Sequence, residues 1–573
     1  MITNELDLLR RGVDSLFPWL QESGTLHDPV FDQPTQYGTA YYAYCNAVLA
    51  KCSNQAEREI YLERTIRGLR AALNYVADAN FPVYLSSFQR ETGEAWGINH
   101  RDFFWPAILK TYRLVRNFEP SLAGEIADQI ASVDIMKSFT ARPPSNWSMV
   151  WLCGEWMRIQ EGLSPYDLEQ YDRWLTPFFQ THIYLTQGLY LEPGLPNSYD
   201  LFTRYHLADV FTGGYGGRWK PQLSRLMETG LKRSLAVQLS DGSLASAYRS
   251  TGQTWTLGIQ CAYFTIAARY FEQDQPELAA KARQAALRSF SAMARWQRAD
   301  APYSPVENCL APASRVGYEL YTGDGHYSPL ALAFLSASID KGFHVDEASV
   351  FTSREPEVLI EYDPTYRVTA HAGDYSLHVN LFPAPEYDAF GTVDVTFGPG
   401  RYFHFASSVR SLESGKFYNL GIAHRETHGR SAISPLSHSR HMLAGAVEMD
   451  GESGFHFRTR PLGNPYPFEY AARVTPGGVW IQEAIPGMVG YQSLLIPYLL
   501  DGGRGVKTRV NPYPGGLELI HGDETVVLEY DLPVEWMVNL PHGFENRRGL
   551  CGLLRIDFHD PVDAVEFRLR VKK

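Results

Sequence analysis

The chain has 573 residues, 45% of them hydrophobic and 20% charged, which marks a folded soluble protein too long for one ordinary core. A net charge of -12 with no basic block excludes a general nucleic-acid binder, although a local arginine cluster could still grip an anion. Six cysteines at positions 45, 52, 153, 261, 309 and 551 form no CxxC pair, which speaks against a zinc site or a disulfide framework and fits a reducing compartment.

The opening segment MITNELDLLRRGVDSLFPWL reads as an amphipathic helix without the basic start and apolar run of a signal peptide, and no run is long enough to span a bilayer. A cytoplasmic protein with no membrane partner is therefore expected. Helical runs of 12 to 22 residues then alternate with Gly/Pro/Asn-rich breaks: TAYYAYCNAVLAKC, AEREIYLERTIRGLRAALNYVA, RDFFWPAILKTYRLVRNF and NWSMVWLCGEWMRIQEG among the first. SPYDLEQYDRWLTPFFQTHI, WKPQLSRLMETGLKRSLAVQL, TWTLGIQCAYFTIAARYF and PELAAKARQAALRSFSAMARWQ continue the pattern, about a dozen helices in all. They share no repeat signature of fixed period, which weighs against a TPR or HEAT array and leaves a solenoid or a closed (α/α) toroid.

From about residue 350 the period changes to two. EVLIEYD, YRVTAHAG, YSLHVNLF, GTVDVTFG, GGVWIQEA, LELIHG, TVVLEYDL and AVEFRLRVKK alternate or run β-branched between Gly, Pro, Asp and Asn. The expected class is α+β multidomain: an (α/α) toroid or barrel of helical hairpins over 1–340, a linker over 341–355 and an antiparallel β-sandwich over 356–573.

Five stretches place polar groups where helices begin or end. GEAWGINHRDFFWP carries Trp96, His100, Arg101 and Asp102; PPSNWSMVWLCGEW carries Asn146, Trp147 and Glu155. YLEPGLPNSYDLFTRYHLADVFTGGYGGRW carries Glu192, Asn197, Tyr199, Asp200, Arg204, His206 and Tyr215. DGSLASAYRSTGQTW carries Asp241, Tyr248 and Arg249, and YELYTGDGHYSPLALAFL carries Glu319, Tyr321 and His326. In a toroid the loops of one rim surround a single cavity, so these residues can converge. Each also has a plain structural reading: Asn146 as a helix cap, Asp241-Gly242 as a tight turn, Glu155 as the wet side of its helix.

The order of these segments resembles domain-of-unknown-function family 2264, with its Asn-Trp helix, GWY-DG-x-YDYYN-H segment, DG-x-GRS-x-YR segment and GSPYW-x-K-FL helix. Here Gly188-Leu189-Tyr190 stands for Gly-Trp-Tyr and Glu192-Pro193-Gly194 for Asp-Gly. The resemblance covers roughly 90–340. It implies an (α/α) barrel and a β-glucuronidase-like glycoside hydrolase of family 154, exo-acting on a uronate-containing glycan.

An inverting hydrolase needs two carboxylates about 6.5–9.5 Å apart, one protonated and one ionised. Glu155, on an aromatic helix face, is the expected general acid. Asp200, flanked by Arg204, is the expected general base, with Arg204, Arg249 and His206 on the substrate carboxylate. A polysaccharide lyase is the alternative: it would neutralise a uronate with Asn, His or Arg and move protons through a Tyr or His, and the same stretch supplies Asn197, Tyr199, Arg204, His206 and Tyr215. A non-catalytic carbohydrate-binding protein is a third. His424, His428, His438 and His441 have spacings a metal could use, but no metal and no cofactor are expected. The expected partner is an acidic oligosaccharide, with no nucleic acid; homo-oligomerisation is left open.

Overall fold

The computed structural model describes residues 4–35, 37–78, 101–192, 197–245, 249–319, 321–346, 350–382, 390–406, 410–411, 418–425, 433–435, 444–460, 466–488, 490–546 and 548–572. Thirteen α-helices among them alternate between two layers. The outer layer holds α1 (Glu5–Leu16), α3 (Gln55–Ala77), α5 (Pro120–Ser132) with the short α6 (Ile135–Ser138), α8 (Leu168–Pro177), α10 (Lys220–Val237) and α12 (Pro276–Ala294). The inner layer holds α2 (Gly38–Cys52), α4 (Arg101–Val115), α7 (Asn146–Gln160), α9 (Asn197–Thr212), α11 (Trp255–Phe271) and α13 (Asp324–Asp340).

The inner helices touch in sequence, α2 to α4 to α7 to α9 to α11 to α13, and α13 returns to α2, so the ring closes. Composition explains the layering. An inner helix is surrounded, and α2 is buried from Gly38 through Ala50, including three tyrosines. An outer helix keeps one wet face, and α3 buries Tyr61, Thr65, Leu69, Ala72 and Val76 while its glutamates point outward. Close approach is met by glycine: a Cβ on Gly38 would collide with the Gly325 carbonyl where α2 meets α13, and one on Gly154 of α7 would strike Trp105 and Pro106 of α4.

Because every outer helix carries the chain back, the six inner helices run parallel and begin at one rim. Ring contacts across that rim bear this out: Tyr37 before α2 stacks on Phe103 of α4 at 5.0 Å and meets His326 of α13 at 5.2 Å. Phe103 meets Trp147 of α7 at 6.0 Å and Phe202 of α9 at 5.8 Å.

The last inner helix ends at Asp340 and the first strand of the second region begins at Arg354. That region is antiparallel throughout its described pairings, in sheets of five, six and eight strands. The five-stranded sheet faces the toroid. In strand Arg367–Gly373 the residues Val368, Ala370 and Ala372 enter the sandwich core, while Arg367, Thr369 and His371 turn the other way. Thr369 and His371 bond the Ala236 carbonyl at the end of α10 at 3.1 and 2.6 Å. A period-two search finds such strands but passes over Tyr491–Asp501, YQSLLIPYLLD, which is buried on both faces and shows no alternation.

A chain of buried charges ties the two regions together. Asp200 on α9 receives Arg204 at 2.9 and 2.8 Å and Arg233 of α10 at 2.5 Å. Arg233 also donates to Glu361 at 2.7 Å, Arg367 pairs with the other Glu361 oxygen, and both arginines donate to the Asn197 side-chain carbonyl. Burial works to raise the Glu361 pKa, yet Arg233 and Arg367 overcome it and hold the carboxyl down at about 2.

A depressed carboxylate stabilises the fold above its unfolded pKa and loses that contribution as pH falls through the folded value. Glu361→Gln should therefore cost about 3 kcal/mol at neutral pH by denaturant unfolding, as removal of one partner of a buried pair does. The gap to wild type should narrow between about pH 4 and about pH 2. A gap independent of pH across that window would contradict the ion-pair account.

Candidate active site at the rim of inner-helix N-termini

Asn146 is the first residue of α7, but Ser145 is the cap: its hydroxyl accepts the Ser148 N–H at 3.2 Å. The Asn146 amide is thus released toward the rim, where its Nδ2 donates to Glu192 at 2.6 Å. Glu192 also accepts the Tyr190 hydroxyl at 2.9 Å. One Nδ2 hydrogen of Asn146 is left over, since an amide nitrogen has two. Burial raises the Glu192 pKa, against the pull of Tyr190, Arg249 and Asn146.

Tyr199, in the first turn of α9, lies half-buried with the Arg249 guanidinium 4.8 Å from its ring centroid. Its hydroxyl meets the Ser250 hydroxyl at 3.0 Å, which meets the Tyr321 hydroxyl at 2.9 Å; Tyr321 in turn donates to Glu319. Burial pushes the Tyr199 phenol up, and Arg249 and the Ser250 bond pull it back only in part. Trp255, the first residue of α11, braces the Tyr199 ring at 5.8 Å. Arg249 acts on both Glu192 and Tyr199, so the Asn146 end and the Tyr199 end belong to one electrostatic site. Trp147, Glu192, Tyr199, Arg249 and Tyr321 are the half-buried members; Asn146, Ser250 and Glu319 lie beneath them. Six helix N-termini around this rim add positive partial charge, which favours an anionic ligand.

The carboxylates expected as acid and base are not part of this set. Glu155 lies nine residues into α7, about 13 Å from its start at the helical rise, and is fully buried. Trp105 Nε1 donates to it at 3.0 Å, Ser164 at 2.5 Å and Arg158 at 3.4 Å. Burial raises its pKa, against the pull of Arg158, Ser164 and Trp105. Asp200 accepts two arginines and the Tyr190 N–H, and although burial opposes it, Arg204 and Arg233 hold its pKa below the ordinary range. The two carboxylates belong to separate hydrogen-bond networks. Arg204 is likewise committed, to Asp200 and to the Gly230 carbonyl at 3.0 Å, and is not free for a substrate carboxylate.

Other named residues separate in the same way. Asn197 is held by Arg233 and Arg367 and by the Ala245 carbonyl at 2.6 Å. His206 lies two turns below the rim, bonded through Nδ1 to the Phe202 carbonyl at 2.8 Å, and burial lowers it to about 4. Tyr215 bonds Asp172 beyond the far end of α9, whose sixteen residues span about 24 Å. Asp241 is enclosed by Ser243, Arg295 and Arg548 at the sandwich boundary. Arg101 and Asp102 open α4; burial lifts Asp102 to about 6. His326 opens α13, bonds the Tyr321 carbonyl at 2.9 Å and is lowered by burial to about 3. Trp96, His100 and Tyr248 lie outside the described residues, as do His428, His438 and His441. Among the described residues no group of His, Cys, Asp or Glu is arranged to hold a metal, and no helix is long and apolar enough to cross a membrane.

Ser250 and Tyr190 were not among the site residues expected from the sequence. Each adjoins a residue that was, Arg249 and Glu192, but Ser250 earns its place through a backbone φ of 66°, which no sequence pattern displays.

No family model matches the chain, and no curated relative matches it. Solved structures do share its fold. The chondroitin AC lyase of Streptomyces coelicolor A3, in complex with chondroitin sulphate, aligns over 99% of this chain and 79% of its own at TM-score 0.50 and 12% identity. A Paenibacillus xanthan lyase aligns over 99% of this chain and 57% of its own at TM-score 0.51 and 9% identity. At such identity the likeness establishes the architecture, a helical toroid followed by a β-sandwich, and nothing finer.

If Glu155 serves to pin α7 to α4, it and Trp105 should be energetically coupled. A double-mutant cycle with Glu155→Gln and Trp105→Phe should give a coupling energy of about 1 kcal/mol in denaturant unfolding, whereas additive effects would remove the structural role.

Proposed function

We propose that this protein is a carbohydrate-active enzyme that cleaves a uronate-containing glycan by β-elimination at the rim of the inner-helix N-termini. The observation that carries the reading is the company kept by Tyr199. A half-buried phenol lies beneath a guanidinium and shares one electrostatic site with an asparagine amide that has a donor to spare. The two carboxylates that hydrolysis was expected to use are instead tied into separate buried networks.

In this reading the spare Asn146 N–H and Arg249 receive the uronate carboxylate. Neutralising it lets electron density from the adjacent carbon delocalise onto the carboxyl group, so the proton on that carbon becomes removable. Tyr199 takes that proton. The carbon–oxygen bond at the β position breaks, a double bond forms between the two carbons, and the departing glycosidic oxygen takes a proton back. Glu192 and Tyr190 orient the amide. The fold likeness to two enzymes that are themselves lyases agrees with this chemistry.

The hydrolytic reading keeps one observation in its favour: Glu192 faces the rim with a raised pKa, as a proton donor to a leaving group would. The β-glucuronidase-like activity implied by family 2264 would then run through Glu192 rather than Glu155 and Asp200.

One experiment separates them. On a panel of uronate polysaccharides that includes chondroitin sulphate, the protein should release products with the absorbance of a conjugated enone. Tyr199→Phe should lower that rate by about 100-fold or more. Arg249→Met should weaken acidic-glycan binding by about tenfold while a neutral glycan is unaffected. New reducing ends without enone absorbance would overturn the elimination reading in favour of hydrolysis.

A further inference from the structure

We propose that Glu319 is the terminal proton acceptor for Tyr199, reached through the Ser250 and Tyr321 hydroxyls as a four-member relay. This rests on the elimination reading and adds to it the route by which a protonated phenol can act as a base.

The direction of the relay follows from counting hydrogens. Each hydroxyl has one hydrogen to give and lone pairs to receive. Tyr321 gives its hydrogen to Glu319, so it must accept from Ser250 at 2.9 Å. Ser250 has then given its hydrogen and must accept from Tyr199 at 3.0 Å. All three hydrogens point toward the carboxylate, and the Tyr199 oxygen is left with lone pairs for a substrate. A chain so polarised strengthens each of its bonds.

The backbone is bent to make the relay. Ser250 is fully buried at φ 66°, a conformation that costs a non-glycine residue energy, and its N–H donates to the other Glu319 oxygen at 2.7 Å. One serine thus fixes the carboxylate through its main chain and joins the two tyrosines through its side chain. A glycine would fit the turn more easily but could not carry the proton.

The relay removes a difficulty of the reading. Burial keeps the Tyr199 phenol protonated, so a free phenolate is not at hand. With the relay none is needed. As the substrate carbon releases its proton to the Tyr199 oxygen, the Tyr199 proton passes to Ser250, that of Ser250 to Tyr321 and that of Tyr321 to Glu319. The electron pair of the broken carbon–hydrogen bond becomes the new double bond as the glycosidic oxygen departs. The shift then reverses: Tyr199 protonates the leaving oxygen, and Glu319 returns to its carboxylate. Among the described residues the titratable and charged groups facing Tyr199 are Arg249, Glu192, Glu319, Tyr37 and Tyr327, and an unbroken line of hydroxyls joins it to Glu319.

Glu319 is a positioning residue in this scheme, so its test needs readouts that a packing role would not move. On the uronate polymer that gives the fastest enone release, Glu319→Gln should lower kcat about 100-fold and leave KM within about threefold. Its rate should rise more steeply with alkaline pH than that of wild type, because Tyr199 must now lose its proton to solvent. Glu319→Asp should recover part of the loss, and Ser250→Gly should behave like Glu319→Gln. If Glu319→Gln does not give a native circular dichroism spectrum, Tyr321→Phe breaks the same chain and carries the test. Wild-type kcat and pH profile in Glu319→Gln or Tyr321→Phe, with enone still produced, would overturn the relay and leave the elimination reading standing. No enone from wild type on any uronate polymer would remove that reading and the relay together.

Discussion

The position of the candidate site depends on one buried carboxylate. Asp200, a turn below the start of α9, is clamped by Arg204 from its own helix, by Arg233 from α10 and by the Tyr190 N–H. The same arginine reaches Glu361 of the sandwich, and Asn197, three residues earlier, is shared between Arg233 and Arg367. Tyr199 lies between Asn197 and Asp200, so the residue assigned to proton transfer is bracketed by two anchors. Charges so deeply buried contribute little net stability when complete and cost much when broken, which makes them better at fixing a geometry than at holding a fold together.

That clamp also decides what the toroid can do. Six parallel inner helices bring their N-termini to one rim, and the loops there supply a tyrosine, an asparagine, an arginine and the Ser250 turn. The far end of the ring carries its own buried charges: Asp209 near the end of α9 pairs with Lys110 at 2.8 Å and Lys341 at 3.0 Å. At that end the buried charges neutralise one another. The other gathers the Asn146 amide and the Arg249 guanidinium near Tyr199, an arrangement suited to an anionic ligand.

Much of the architecture was legible in the chain, because an all-round apolar helix such as TAYYAYCNAVLAKC and a one-sided one such as AEREIYLERTIRGLRAALNYVA announce inner and outer layers by period alone. The site was legible only as a neighbourhood. Asp200 and Arg204 do share a helix face, as their spacing requires, but nothing local foretells that Arg233 joins them from the next helix and ties the pair into a buried charge network. Tyr199 and Tyr215 look interchangeable in one tyrosine-rich stretch, yet α9 runs its whole length between them and sends Tyr215 to Asp172. Glu155 was read as a carboxylate on an aromatic face. The aromatic partner that bonds it is Trp105, from a helix fifty residues earlier. Long-range pairing, not residue type, separates the structural carboxylates from the rim.

The central claim is that this rim breaks a carbon–hydrogen bond and does not deliver water. The most direct measurement is cleavage of a uronate oligosaccharide in water enriched in heavy oxygen, with the products weighed by mass spectrometry. The account predicts products that together weigh the same as the starting glycan, one of them unsaturated, and no heavy oxygen in either. Products heavier by one water, with heavy oxygen at the new reducing end, would contradict it.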